Sequence, residues 1–145
     1  MIQSERLDNL NPAKPRNREY VLYWMQAAQR VRYNHALEWA IRTANQRQKP
    51  LVVGFGLTGV FPGANFRHYH FMLEGLQEIE TALSRLGIRF ILRIGFPDAV
   101  AIELARKADL LITDAGHLRI QRQWRNAVAI AVDCPLIEVE TNLIV

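Results

Sequence analysis

Along this chain, short unbroken apolar runs alternate with stretches in which apolar residues recur every three or four positions. The runs are Tyr20 to Trp24, Leu51 to Phe55, Ile88 to Leu92, Leu110 to Thr113 and Leu136 to Val139. Continuous apolar or β-branched segments suit strands covered on both faces, as in a parallel sheet. Between them lie helical patterns. Leu37, Ala40, Ile41 and Ala44 share one face behind Asn34, a residue suited to cap the helix. Met72, Leu76, Ile79, Leu83 and Leu86 follow at alternating steps of four and three, with Glu74, Glu78 and Arg85 opposite and Gly87 as the stop. Pro97 and Asp98 open a third helix that ends near Lys107, where a basic last turn suits the dipole. A fourth runs from about Leu118 to Ala131. Strict alternation of strand and helix implies right-handed crossovers and a three-layer, doubly wound α/β domain: a five-stranded parallel sheet with helices on both faces. Residues 1–19, with Pro12, Pro15 and several Asn, read as an irregular arm, and 20–145 as the domain.

Composition narrows the setting. A chain of 145 residues, half of them hydrophobic, forms one domain whose core needs neither disulfide nor metal. The single Cys134 has no partner within the chain, which fits a reducing cytoplasm, and its place just before an apolar strand reads as packing. No run approaches the ~20 apolar residues of a membrane span, and the first eighteen residues lack the apolar core of a signal peptide. The expectation is a soluble, cytoplasmic protein. Net charge is +4, and of eighteen basic residues only Lys14, Lys49 and Lys107 are lysines. Arginine favours bidentate contact with carboxylate or phosphate. That balance permits nucleic-acid binding without demonstrating it.

One connection breaks the rhythm. Gly54 to Asn65 reads as a long loop with four Gly, one Pro and two Phe. It leaves the carboxyl end of its strand, where open α/β sheets bind ligands. Gly54-Phe55-Gly56-Leu57-Thr58-Gly59 spells G-x-G-x-x-G letter for letter. A dinucleotide site needs the third Gly at a helix start, and Val60-Phe61-Pro62-Gly63 delays the helix. The match also follows the second strand, and Glu78 and Glu80, about twenty residues on, fall inside a helix. The better reading is a pocket wall in which Phe55, Leu57, Phe61 and Phe66 pack a flat aromatic ring. The plainer alternative is a loop folded over its own aromatics.

Other candidate chemistry is thin. Arg119, Arg122 and Arg125 form a drifting basic stripe on the fourth helix, either a solvated face or a contact for phosphate or a partner domain. His68 and His70 point to different helical faces, so no zinc site is expected. Asp114 and His117 share a strand-to-helix turn with no nucleophile at an elbow, and the expected job of that turn is to cap the fourth helix.

Several spaced segments carry a resemblance: Tyr23-Trp24-Met25-Gln26 with Gln29-Arg30; Asn34 with Ala36-Leu37; and Phe66 to Leu76. Thr113-Asp114 with Leu118-Arg119-Ile120 and Trp124-Arg125 belong to it, as do Glu138-Val139-Glu140 and Asn142 to Val145. Together they resemble the N-terminal, antenna domain of class II cyclobutane-pyrimidine-dimer DNA photolyases, over nearly the whole chain. The resemblance implies a Rossmann-like module in strand order 3-2-1-4-5. It implies an antenna chromophore, 8-hydroxy-5-deazaflavin or FMN, beside Trp24, Met25, Gln26, Phe55, Gly56, Leu57, Phe61 and Asp114. Arg30, Arg119, Arg122 and Arg125 become the candidates for nucleic-acid or partner contact, with direct DNA binding weak or indirect.

In that family the FAD, the electron-transfer tryptophans and the lesion pocket belong to a helical domain beyond this segment. The expectation is therefore that the helical domain is absent here, that FAD is not bound by this chain, and that no catalytic residue carries over. Trp24, Trp39 and Trp124 then read as packing. Ala27-Ala28 stands where the family tends to have Arg-Asp, and Tyr33-Asn34-His35 where it tends to have Asp-Asn-Trp. The first change suggests a relaxed interdomain contact and a stand-alone relative. Such a chain would serve light harvesting or sensing linked to DNA repair, not catalytic alone, beside a separate FAD-bearing helical partner. The alternatives are a degenerate, homodimeric interaction domain without chromophore, and a nucleotide-binding Rossmann-like protein.

Overall fold

The computed structural model describes residues 7–26, 28–58 and 66–140, with side chains of 66–69 left aside. Among the described residues six strands form one sheet: β1 (Leu7–Asn9), β2 (Tyr20–Trp24), β3 (Leu51–Leu57), β4 (Arg89–Ile94), β5 (Ala108–Asp114) and β6 (Leu136–Val139). Four helices intervene: α1 (His35–Arg47), α2 (Phe66–Arg85), α3 (Pro97–Ala105) and α4 (Arg119–Ala131). The order across the sheet is β1-β6-β5-β2-β3-β4. This corrects the expected five-stranded, purely parallel sheet: a sixth, antiparallel strand joins the β6 edge and changes the order across the whole sheet. The five parallel strands keep the relative order 3-2-1-4-5. The extra strand comes from the arm read as irregular: Leu7, Asp8 and Asn9 pair antiparallel with Val139, Glu138 and Ile137. Asp and Asn are poor strand formers, so nothing local announces β1; pairing with an exposed sheet edge creates it. The arm then runs under the sheet, with Asn11 Nδ2 donating to Cys134 O at 3.0 Å and the Asn17 N–H to Asp109 Oδ1 at 2.6 Å.

Both sides of the central strands are covered. Val21, Tyr23 and Met25 join Leu37, Ala40, Leu76, Ile79 and Leu83 under α1 and α2. Leu22 and Trp24, the alternate positions of β2, join Val100, Leu104 and Val128 under α3 and α4. Burial on two sides is why β2 and β5 read as unbroken apolar runs. Strand β4 differs. It is the edge, and Leu92 and Ile94 are 39% and 85% exposed. The continuous run there does not mark a doubly covered strand.

The caps follow the residues. Asn34 Oδ1 accepts from the Leu37 N–H at 3.0 Å, while its amide donates to Tyr23 Oη at 3.0 Å and Arg30 O at 2.9 Å. Gly87 sits at φ +74°, the left-handed geometry that closes α2 without a Cβ clash. Leu86, expected on the buried stripe of α2, is instead 58% exposed in that closing turn.

Candidate functional site

Strands β2, β3 and β5 end at one edge, beside the point where the chain reverses direction across the sheet, and ligands of such folds bind there. Strand β3 runs through Leu57, so Gly54, Phe55 and Gly56 are strand residues and not a phosphate loop. Their small size has a packing cause. A Cβ on Gly56 would lie 2.8 Å from Pro97 Cα, and one on Gly54 would lie 2.7 Å from Leu104 Cδ1. The glycines let α3 lie close on β3, and the fingerprint reading is set aside.

Above these ends is a cleft of about 120 Å³. Met25, Phe55, Leu57, Met72, Ile120 and Trp124 supply its apolar wall, and Gln26, Gln29, Thr58 and Gln121 its polar groups. Of the residues named from sequence, Met25, Gln26, Phe55, Gly56 and Leu57 line it. Trp24 does not: strand alternation turns its ring to the opposite side, among the residues under α3 and α4. Phe61 and the Phe66 side chain lie outside the described residues. Met72 and the start of α4 were invisible as site residues in the sequence, where both carry ordinary helical periodicity. Leu118 and Ile120, 62% and 46% exposed at the rim, break the polar character expected of a solvated first turn. That was the available signal.

Asp114 acts beneath the cleft. It is fully buried, and its carboxylate accepts the Gln26 N–H at 2.6 Å and the Ala28 N–H. It therefore ties down the turn after β2 and does not cap α4, correcting the expected role. The α4 entry is held by Gln121, whose Oε1 accepts from the Leu118 N–H at 3.1 Å. His117 pairs with Glu140 at 3.1 Å. Burial, reinforced by the negative charge of Asp114, holds the Tyr23 hydroxyl well above its ordinary pKa and so neutral.

Gln26 links the cleft to a charged group. Its Nε2 donates to Gln121 O at 3.0 Å, and its Oε1 accepts from Arg125 Nη1 at 3.2 Å. Arg125 also pairs through Nε with Glu138 at 2.9 Å and is only 6% exposed. Arg125 is thus structural and leaves the solvated stripe proposed for it, whereas Arg119 and Arg122 stay exposed. Arg30 donates to Tyr33 O from Nη2 at 3.1 Å. Arg122 and Arg125 line a common polar hollow with His117, Glu138 and Glu140.

The lining suits a flat aromatic ring chemically: apolar and sulfur-bearing on its walls, with amides to meet a polar edge. The space is smaller than the roughly 300–1,000 Å³ of ordinary small-molecule sites, so a tricyclic ring enters only with movement at the rim. Among the described residues no cluster of three or more His, Cys, Asp or Glu could hold a metal ion, and no helix is long and apolar enough to cross a membrane.

Comparison with known proteins separates fold from family. The fold is shared with the universal stress protein from Archaeoglobus fulgidus in complex with dAMP. That match has TM-score 0.58 and 14% identity, and covers 84% of this chain and 98% of that one. A putative universal stress protein from Pseudomonas aeruginosa gives TM-score 0.60 and 11% identity, over 90% of this chain and 50% of that one. At such identities only architecture is shared. The sequence relatives are closer. The deoxyribodipyrimidine photo-lyase of Methanothermobacter thermautotrophicus is 47% identical over 146 residues, covering 100% of this chain and 33% of that protein. That of Potorous tridactylus is 36% identical over 128 residues, covering 86% and 24%. The chain thus spans a third or less of these relatives. The DNA photolyase family matches residues 21–145, and the chain belongs to that family.

Proposed function

We propose that this chain is an antenna-type module of a class II-like photolyase system, holding a flavin or 8-hydroxy-5-deazaflavin ring in the cleft above β2 and β3. The observation that supports this reading most is the apolar and aromatic wall of Met25, Phe55, Leu57 and Trp124 at the carboxyl edge, in a family of light-dependent DNA-repair lyases. Met25 and Phe55 would meet the ring faces, and Gln26 and Gln121 its polar edge. Because the cleft is narrow, binding would displace Leu118 and Gln121 from the rim. The chromophore would supply absorption of near-ultraviolet or blue light; the repair chemistry would lie with an FAD-bearing helical domain, on the same or another polypeptide in the cytoplasm. Titration of the purified protein with FMN and with the deazaflavin, followed by absorbance, tests it. A saturable, near-stoichiometric spectral change that Phe55→Ala weakens at least tenfold is expected, and no uptake of either ligand would refute the proposal.

A second reading draws on the edge strand β4. Leu92, Ile94 and Phe96 expose apolar surface at an unpaired strand, which suits self-association of an interaction domain. Light scattering would show a dimer, and Ile94→Lys would dissolve it; a monomer at all concentrations excludes this reading.

A further inference from the structure

The amino edge of the sheet, opposite the cleft, gathers positive charge from the arm, the ends of α1, α2 and α3 and the start of β4, while the end of α4 brings none. The arm brings Lys14, Arg16 and Arg18; the end of α1 and its turn bring Arg47 and Lys49. The end of α2 and start of β4 bring Arg85 and Arg89, and the turn before β5 brings Arg106 and Lys107. Against these nine cations stand three carboxylates, Glu19, Asp109 and Asp133. Glu103, which lines a hollow here with Arg89 and Arg106, pairs with Arg93 at 3.3 Å and leaves the balance unchanged. The balance of +6 exceeds the +4 of the whole chain, so everything else sums to −2.

Helix dipoles explain part of this. Helices α1 to α4 all end at this edge, and the dipole accounts for Arg47 and Arg85 in the last turns of α1 and α2. Helix α3 stops at Ala105, short of the expected basic last turn, with Arg106 and Lys107 just beyond it. The others sit on the arm, a turn or a strand start. Internal pairing removes only Arg47, held by the buried Asp109, and Arg18, held by Asp133 at 2.6 Å. Lys14, Arg16, Arg85, Arg89, Arg106 and Lys107 are exposed and in no ion pair among the described residues. Two polar hollows of about 490 and 300 Å³ adjoin at Arg106; the larger holds Arg89 and Lys107, the smaller Arg18.

We propose that this edge is a sequence-independent docking surface for the phosphodiester backbone of DNA. Five parallel strands at about 4.8 Å spacing span about 19 Å, a length of duplex axis that carries roughly eleven phosphate charges. Four of the six exposed cations are arginines, whose planar fork matches phosphate. The carboxyl edge, with its cleft, stays clear of this contact.

The test is fluorescence anisotropy of the full chain with a short undamaged duplex, across about 50 to 200 mM salt. The slope of log affinity against log salt should fall by about one for each phosphate contact removed. Arg85→Glu, Arg89→Glu and Arg106→Glu combined should weaken binding at least tenfold at the low-salt end. Lysine at the same three positions should retain it. Arg119→Glu with Arg122→Glu, at the opposite edge, should bind like the parent. Thermal melts confirm that each variant folds; should the glutamate triple fail, glutamine at the same positions replaces it. The proposal is overturned if the parent binds no duplex, if the triple variant binds as the parent does, if the opposite-edge variant is the one that loses binding, or if phosphatidylserine vesicles are bound while duplex is not.

Discussion

Replacing Gly56 by alanine tests whether the glycines of β3 serve packing or phosphate binding. The new Cβ would lie 2.8 Å from Pro97 Cα and 3.2 Å from both Val100 Cβ and Cγ2. Ordinary contact begins near 3.4 Å, so α3 must retreat by about 0.6 Å at its first turn. The obstacle is backbone, and no rotamer change relieves it. Overpacking of this kind costs about 1–3 kcal/mol. For a chain of this size each kcal/mol lowers Tm by about 2–4 °C, so a drop of about 2–12 °C is expected in a calorimetric melt. Two further glycines give the scale. At Gly54 the clash is with the end of the Leu104 side chain, which can turn aside, so its alanine variant should lose less. Gly75 lies on α2 with nothing within 4 Å, and alanine there should gain about 0.5–1 kcal/mol from helix propensity. An unchanged melt for Gly56→Ala, or a loss equal to that of Gly54→Ala, would refute the packing argument. AMP or dinucleotide binding lost together with a normal melt would restore the phosphate-loop reading.

Three other outcomes follow from the same geometry. Arg125→Met should cost about 2–4 kcal/mol in urea unfolding, since it strands the largely buried Glu138 and removes a donor from Gln26; adding Glu138→Leu should return most of the loss, and equal instability of both variants would contradict this. The Asp109 carboxyl is raised by burial, but the Arg47 guanidinium and the Asn17 N–H outweigh that and leave its pKa below the usual range. Its stabilisation is therefore present above the unfolded value of about 3.9 and lost as pH falls through the lower folded value, so Asp109→Asn should flatten the acid limb of stability against pH. Burial first, then the charge of Asp133, push the Cys134 thiol up to about 11. It should resist alkylation at pH 8 until urea unfolds the chain, and prompt stoichiometric labelling of the native protein would show the thiol to be accessible.

How much of this was legible in the residues depends on whether the signal is local. Doubly buried strands must be apolar throughout and amphipathic helices must be periodic, so β2, β3, β5, β6 and the four helices could be read from the chain. So could the Asn34 cap, because an asparagine before an apolar periodic run has few better uses. The loop pattern pointed to Phe55 and Leu57 and the resemblance added Met25 and Gln26, all of which line the cleft. Local pattern did not disclose β1, a three-residue strand that exists only because β6 offers an unpaired edge. Nor did it disclose that the Gly54 to Gly56 letters lie within a strand under α3. Asp114 and Arg125 show the same limit. Their residue types suggested a cap and a basic stripe, while burial made one the anchor of the turn after β2 and the other the partner of Glu138. Periodicity is a property of neighbours in the chain, and so the sequence alone determined the element types, the α/β class and the family. Contacts between different elements of the chain set the sheet edge, the cleft and the roles of its charges, and these only the tertiary structure decided.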